Sequence, residues 1–234
     1  MAHAASAQVH VHFGVDAGVP LTDTLVSTEN SSASGTGASF ESSFYRVHSD
    51  TKRLLVGPVF RLDLSNAFGI EFDALYQRIN QDSTNISMSQ GYSNFTFIQT
   101  IANRWQFPLL VQFRRTLPKT RTALFVESGL SISHIANGQG VQSQTAISNA
   151  SPSSSVSRFA NSGTTSAGLV VGAGADFSLF HGHLRPEFRY THWFAQNTGA
   201  AVAFLAIIPN GEVGLSPSPE LKNDEASFLL GFTF

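Results

Sequence analysis

The sequence contains no cysteine, which excludes a disulfide-stapled scaffold and a metal site built from thiolates. Charged residues are also scarce, at 13% of 234 residues, where an average soluble domain carries about 25%. The net charge of −2 gives no sign of a basic surface for nucleic acid, so we expect no nucleic-acid partner. The surface of this protein is therefore short of charge of either sign.

Long hydrophobic runs are missing as well. The longest, residues 200–208, has nine residues, whereas a helix needs about 20 apolar residues to cross a bilayer. A membrane crossing would therefore have to be made by strands, which need only about 9–11 residues each. The aromatic residues are 20 Phe against 4 Tyr and 2 Trp, and Phe has no polar atom that needs a partner in lipid.

Apolar and polar residues alternate along eight segments, and this period of two is typical of β-strands. Each segment has about 10–15 residues, which suits tilted membrane strands, whereas strands of soluble proteins average about 5–6. In one segment Phe68, Ile70 and Phe72 share one face, while Glu71 and Asp73 share the other. The segments are 8–20, 53–64, 68–79, 104–116, 121–135, 166–180, 183–194 and 225–234.

The connections between these segments alternate between long and short along the whole chain. Outer-membrane barrels have this arrangement, with short turns on the periplasmic side and longer loops outside the cell. An even number of strands places both termini in the periplasm, as an exported chain requires. The short connections are 65–67, 117–120 and 181–182, and the long ones are 21–52, 80–103, 136–165 and 195–224.

Two architectures fit the alternation. An antiparallel sandwich would bury the apolar face in a core, whereas a barrel would turn it outward to lipid and enclose the polar face. The loop pattern and strand lengths favour the barrel. We therefore predict an all-β fold, an eight-stranded antiparallel up-and-down transmembrane β-barrel, over residues 8–234. Residues 1–7 are interpreted as a signal-peptide remnant or a disordered tail, because Ala5-Ser6-Ala7 has the form of a cleavage site.

Inside such a barrel, charges of both signs would lie close together, because eight strands leave just enough room for their own side chains. Isolated buried charges are costly, so we expect the two signs to pair and to fill the lumen. Gly168, Gly172 and Gly174 are expected either to permit strong coiling of the strand or to leave room for Arg side chains from across the lumen. The predicted lumen charges are Asp16, Arg61, Asp63, Glu71, Asp73, Arg114, Glu127, Asp176, Arg185, Glu187 and Arg189.

The last segment carries Phe228, Leu230, Phe232 and Phe234 on one face. This pattern resembles the C-terminal signal by which the outer-membrane assembly machinery recognises its clients. The whole chain resembles the bacterial outer-membrane β-barrel domain family, the small porin-like proteins allied to OmpA- and OmpX-type barrels. The likeness is carried by residues 13–23, 56–78, 104–114, 184–194 and the terminal strand.

The resemblance implies an exported barrel in the bacterial outer membrane, with outer-membrane lipids and the assembly machinery as partners. The family has no shared catalytic residues that could be transferred to this chain. Trp105, Tyr190 and Trp193 lie near strand ends, where amphipathic rings favour the lipid headgroup level. By strict alternation, Trp193 could instead point inward.

The histidines are the obvious place to look for chemistry. His10 and His12 share one face of the first segment, but no carboxylate or third histidine is expected beside them, so we predict no metal site. His181 and His183 flank a turn glycine and are interpreted as solvated.

His192 invites a comparison with lipid A deacylases, which are barrels that use a His and a Ser two residues apart on a late strand. The matching spacing from His192 reaches Phe194, so the nucleophile is missing. No Gly-x-Ser-x-Gly elbow and no phosphate-binding glycine loop occurs elsewhere in the sequence.

We therefore expect a non-enzymatic outer-membrane protein without a cofactor, in a structural or surface-interaction role, with a lumen filled by paired charges. A narrow passive pore for ions or small solutes is the alternative, and a membrane-embedded lipid A-modifying hydrolase is the third. The sequence does not specify a ligand for the long loops. The apolar segment 199–209 could extend a strand, contact the barrel rim or form an interaction patch.

Overall fold

The computed structural model describes residues 9–35, 40–50, 54–136, 138–148, 151–160, 163–179, 182–194, 204–207, 213–216 and 222–234. Residues 1–7, His181 and most of 195–221 lie outside this part, and so do the predictions made for them. The described residues form strands and the turns between them. Within these ranges, no helix is long and apolar enough to cross a membrane.

Fifteen strands are formed by the described residues. In chain order they are β1 His10–Pro20, β2 Thr28–Ser34, β3 Glu41–Asp50, β4 Leu55–Asp63, β5 Phe68–Asp73, β6 Leu75–Ser89, β7 Tyr92–Thr116, β8 Thr122–Ile135, β9 Gln139–Ser148, β10 Pro152–Ala160, β11 Thr164–Leu179, β12 Gly182–Trp193, β13 Phe204–Ile207, β14 Val213–Ser216 and β15 Asp224–Thr233.

A closed barrel is the centre of the fold. Going round it, β1 pairs with β4, β4 with β5 and β6, these with β7, and then β8, β11, β12 and β15 follow in order. The ring closes because β15 pairs with β1, with Ala17 opposite Leu230. All of these pairs are antiparallel. The predicted eight-stranded antiparallel barrel is confirmed, with β5 and β6 together forming one of its eight walls.

The break between β5 and β6 has a local cause. The register against β4 is unchanged across it, since Asp73 lies opposite Val59 and Tyr76 opposite Val56. Ala74 between them donates its N–H to the carbonyl of Pro58, at 3.1 Å. Pro58 has no N–H with which to return that bond. On the other side, the register to β7 places Asp73 opposite Pro108, which also lacks an N–H, so the backbone ladder is interrupted on both sides of this wall.

A second sheet continues from the barrel at the end opposite His10 and Phe234. This upper sheet has the order β2-β3-β6-β7-β9-β10, and it shares β6 and β7 with the barrel wall. β7 has 25 residues and pairs with β8 over its second half and with β9 over its first. Three of the predicted long connections, 21–52, 80–103 and 136–165, contain the strands of this upper sheet.

The prediction that residues 80–103 form a loop is wrong. They are the upper part of a β-hairpin in which Ser89 lies opposite Tyr92, and Gly91 makes the turn with φ 74°. The Ser and Asn content of this stretch is typical of loops. Phe95 and Phe97, however, are of a residue type that favours strands. The pairing of β6 with β7 continues without a break from the barrel into this hairpin.

The faces of the barrel are inverted relative to a soluble protein. Exposed apolar side chains cover the exterior on every wall, and the buried side chains inside are mostly polar or charged. The buried apolar cluster consists of Leu55, Leu75 and Leu229. One exterior residue from each wall is Val15, Phe60, Phe72, Leu109, Leu130, Val171, Phe188 and Leu230.

Candidate functional site: the charged barrel interior

Arg189 is the centre of the interior. It lies on β12, and strict alternation along the strand points Arg185, Glu187 and Arg189 to the same side. Its Nη2 donates to Glu71 Oε1 at 2.7 Å, and its Nε donates to Glu127 Oε1 at 3.0 Å. The same guanidinium pairs with Asp73 and Glu187. One planar donor group therefore ties together carboxylates from three walls of the barrel, β5, β8 and β12.

Glu71 is the most shared acceptor of this group. It pairs with Arg185 as well as Arg189, and it accepts from Gln112 Nε2 at 2.8 Å. Gln112 on β7 also donates to Glu127 Oε2 at 2.7 Å, so its amide joins the two carboxylates. The guanidinium of Arg185 lies over the ring of Phe125, 4.5 Å from the centroid. The interior is thus a connected polar network rather than a set of separate pairs.

We call the group around Arg189 and Arg185 the middle layer of the interior. Carboxylates outnumber guanidiniums in it. Five acids, Asp16, Glu71, Asp73, Glu127 and Glu187, face two arginines, Arg185 and Arg189. The carboxylate oxygens of Glu71, Glu127 and Glu187 lie within 4.8 Å of one another, and so do those of Asp16, Glu71 and Asp73. If all five were ionised, three negative charges would lack a counter-charge, so the layer can hold protons or attract a cation.

A second group lies at the short-turn end of the barrel. Arg61 bridges two acids, with Nη1 2.9 Å from Asp176 Oδ2 and Nε 3.3 Å from Asp63 Oδ1. Arg114 Nη1 donates to Asp63 Oδ2 at 2.9 Å. The contact of 4.0 Å between Arg185 Nε and Asp176 Oδ2 connects this end to the middle layer.

Two sequence interpretations of histidines are corrected at this end. His12 does have a carboxylate beside it, since its Nε2 is 3.3 Å from Asp63 Oδ2, and its ring contacts that of His183 at 5.5 Å. His183 is not simply solvated, because its Nδ1 lies 2.6 Å from Asp176 Oδ1. The first contact joins residues that are distant in the chain, so the sequence pattern could not show it, whereas the second lies within the hairpin of β11 and β12, only seven residues apart.

The structure places all eleven predicted lumen charges on the inner side of the barrel and brings ten of them together in ion pairs. The eleventh, Asp16, is buried next to Glu71 and Asp73. The paired residues are Arg61, Asp63, Glu71, Asp73, Arg114, Glu127, Asp176, Arg185, Glu187 and Arg189.

Arg104 was missed by the sequence reasoning. It is buried at the long-connection end, where its Nη1 donates to both oxygens of Glu225, at 2.7 and 2.9 Å, and to Thr24 at 3.0 Å. Its Nε donates to Ser133 at 2.7 Å, and its guanidinium lies 5.0 Å above the Trp193 ring. Arg104 is eight residues from the buried Gln112 on the same strand, an even number, so both side chains point to the same face of β7. This spacing is the signal that could have identified Arg104.

The inward glycines make room for side chains on neighbouring strands; of the two alternatives that the sequence left open, room for arginines from across the lumen is not what these contacts show. A Cβ at Gly172 would come within 2.8 Å of Glu127 Oε1, and one at Gly174 within 2.5 Å of the Phe125 ring. At Gly168 it would lie 2.8 Å from the Trp193 ring. The glycines of β11 therefore leave the space inside the barrel that the charged and aromatic side chains of β8 and β12 occupy.

A polar rim marks the upper edge of the apolar exterior. Tyr76 donates its hydroxyl to Asn103 at 2.8 Å, and its ring contacts Trp105 at 5.2 Å. On the neighbouring strand His134, which lies opposite Trp105, has its Nδ1 2.9 Å from the hydroxyl of Thr165. Trp105 and Tyr190 lie on this exterior, whereas Trp193 is fully buried inside, as strict alternation allowed.

His192 also lies on the exterior rim. Its Nδ1 is 2.7 Å from Asp224 Oδ1, and the same carboxylate accepts a hydrogen bond from Tyr190. A histidine that is hydrogen-bonded to a carboxylate supplies two of the three members of a hydrolytic triad, and the nucleophile is the third. The position where a deacylase carries its serine is occupied by Phe194, whose ring lies 6.5 Å from the imidazole.

The terminal strand closes the barrel. Phe234 and Phe13 exchange backbone hydrogen bonds of 2.9 and 3.2 Å, and Phe232 lies opposite both Val15 and Leu184. The four residues of the predicted insertion signal, Phe228, Leu230, Phe232 and Phe234, all point outward and are exposed.

No protein-family model matches this chain, and no curated protein matches it. Two solved structures of Ail, the attachment invasion locus protein of Yersinia pestis, are matched by structure comparison. The first, in complex with the heparin analogue sucrose octasulfate, is 11% identical, with 96% of this chain and 99% of that chain covered and a TM-score of 0.39. The second is 12% identical, with 95% and 98% covered and a TM-score of 0.31.

Proposed function

We propose that this protein is an integral barrel of the bacterial outer membrane, with a lumen closed by its own charges, that acts structurally or through its cell-surface sheet. The exterior supports the membrane location. Leaving one large apolar side chain in water forgoes roughly 1.5–3 kcal/mol of burial energy. Exposed residues of this kind, such as Leu109, Val171 and Phe188, occur on every wall, and only lipid would cover them all.

The single observation that carries the closed lumen is the position of Arg189. Its guanidinium contacts carboxylates that come from β5, β8 and its own strand β12. Gln112 from β7 extends this connection. An eight-stranded barrel has an interior that side chains can fill, so this group occupies the cross-section through which a solute would pass.

The orientation follows from the two unlike ends of the barrel. In this proposal the end with the short turns and both termini faces the periplasm, and the upper sheet stands outside the cell. The terminal strand with Phe234 would be recognised by the outer-membrane assembly machinery, and lipids would contact the apolar exterior. The upper sheet would be the surface offered to an extracellular ligand.

Planar-bilayer recording tests the closed lumen. The full chain is refolded in detergent and shown to be inserted by a different gel mobility before and after boiling. We expect no steady channel openings from the wild-type protein. Steady openings whose size changes in Arg185→Ala or Glu71→Ala, but not in the upper-sheet variant Arg46→Gln, would contradict the plug.

A narrow cation pore is the second candidate, and one observation favours it. The middle layer has five carboxylates for two guanidiniums, so the interior attracts positive charge. In the same recordings, this function requires openings that pass K⁺ in preference to Cl⁻. An Arg-lined or neutral lumen would not give that preference.

A further inference from the structure

A concave site lies on the outer face of the structure, where the barrel passes into the upper sheet. The cavity has a volume of about 880 Å³ and spans β6, β7, β9 and β10. Arg78 borders it on one side and Arg158 on the other. Between them its lining includes the amide side chains of Gln99, Asn103 and Gln139.

Strand register shows that these groups share one face. Arg78 lies opposite Asn103 on β7, Gln99 opposite Val141 on β9, and Val141 opposite Arg158 on β10. Residues directly opposite each other in a sheet point to the same side. Asn103 is two residues from Trp105, so this side is the same as the apolar exterior of the barrel.

Among the residues that the structure describes, no ion pair neutralises the two arginines of this cavity. Both are exposed, and neither forms an ion pair or a side-chain hydrogen bond with any residue in the described ranges. The lining described above contains no carboxylate. In register on this face, Asp82 lies opposite Gln99 and does not line the cavity, and Asp50 of β3 lies opposite Asn80, two residues from Arg78. The site therefore offers two guanidiniums and three amides to an anion.

The height of the cavity identifies the kind of anion. Along β7 the exterior residues change from Phe107 and Trp105, which stack at 6.3 Å, to the polar Asn103. Tyr76, bonded to Asn103, stands at the same level. Tyr and Trp rings of membrane proteins lie at the headgroup level. The cavity begins directly above them and opens on the lipid side, where headgroups would reach it and a solute in the lumen would not.

We propose that this cavity binds the phosphorylated sugar headgroup of an outer-leaflet glycolipid, with Arg78 and Arg158 each engaging a phosphate. The planar guanidinium suits phosphate because it can donate two parallel hydrogen bonds. The amides of Gln99, Asn103 and Gln139 supply donors and acceptors for sugar hydroxyls. This inference rests on the proposed function, since it needs the barrel to be inserted in an outer membrane.

The test uses the full chain in nanodiscs of neutral phospholipid, with lipid A carrying two phosphates as the probe and its monophosphorylated form for comparison. Native mass spectrometry counts the bound glycolipid at each probe concentration. We expect the wild type to prefer the form with two phosphates. Arg78→Gln and Arg158→Gln should each weaken its binding on the order of tenfold, and the double variant should lose the preference.

Arg46→Gln is the matched control, because Arg46 is an exposed arginine of the same sheet that pairs with Glu29 and does not line the cavity. Unchanged binding in the double variant overturns the proposal, and so does an equal loss in Arg46→Gln, which would show only a general effect of charge. A chain that does not insert, seen as identical gel mobility before and after boiling, overturns the proposed function together with the site. A chain that inserts but binds the two forms of lipid A equally well overturns the proposed site alone.

Discussion

At the scale of single residues, Arg189 is the group on which the interior depends. It is buried and pairs with Glu71, Asp73, Glu127 and Glu187. Removing one partner of a buried ion pair leaves the other charge without compensation, which costs about 3–5 kcal/mol. The acids are in excess, so loss of a guanidinium and loss of a carboxylate should not have equal effects.

We expect Arg189→Gln to lower the stability of the folded barrel by at least about 3 kcal/mol, because it leaves several carboxylates without a counter-charge. Glu127→Gln should be neutral or stabilising, since it removes one of the excess negative charges and keeps a hydrogen-bonding side chain. The urea midpoint of the refolded protein in detergent measures both. Equal destabilisation by the two variants would contradict the charge imbalance.

The sequence located most of these residues but not their partners. Alternation of polar and apolar residues was enough to point Glu71, Asp73 and Arg189 inward. Which carboxylate meets which guanidinium depends on the stagger of the closed sheet, and no local pattern encodes that stagger. Arg104 was missed because it stands at the predicted start of its segment, where the strand in fact continues upward.

At the scale of elements, the interrupted wall between β5 and β6 shows how proline affects a ladder, with Pro58 on one side and Pro108 on the other. Pro58 accepts a hydrogen bond from Ala74 and cannot donate one in return. The barrel keeps its register there because the pairs on both sides of the gap are intact, as between Val59 and Asp73.

Pro58→Ala restores an N–H at this position, and we expect it to complete the ladder on the β4 side. The added backbone hydrogen bond should stabilise the barrel by roughly 0.5–1.5 kcal/mol, measured as an increase in the urea midpoint. In hydrogen-exchange NMR, the new amide of residue 58 should be protected like those of its neighbours. Rapid exchange of that amide would show that something other than the proline opens the ladder.

The elements that the sequence did not predict are the strands of the upper sheet. In β2, β3, β9 and β10 the many Ser, Thr and Asn residues leave little apolar alternation to read. β10, with the sequence PSSSVSRFA, is an example. Its strand conformation comes from pairing with β9, a tertiary contact that a pattern of residues cannot show.

At the scale of the whole molecule, the terminal strand has one role in folding and a second one in the proposed assembly. Its backbone closes the ring between β12 and β1, while the side chain of Phe234 is largely exposed at the edge. The two roles can be separated, because closure uses main-chain atoms and recognition would use the aromatic ring.

We expect Phe234→Ser to reduce the amount of barrel in the outer membrane of living cells several-fold, because the assembly machinery would lose its aromatic contact. The same variant should refold in detergent as fully as the wild type, with an unchanged urea midpoint. Cell fractionation and the gel shift on boiling measure the two effects. A loss of refolding in detergent would instead assign the ring a structural role.

The length of β7 has a mechanical consequence. This one strand of 25 residues runs from the short-turn end of the barrel into the upper sheet, and it is paired along both of its edges. A force that pulls the upper sheet away from the membrane would act along the strand. The hydrogen bonds of antiparallel strands lie perpendicular to that direction, so many of them would be loaded at once in shear instead of opening one by one. In this fold, tension on the upper sheet would therefore pass directly into the barrel wall.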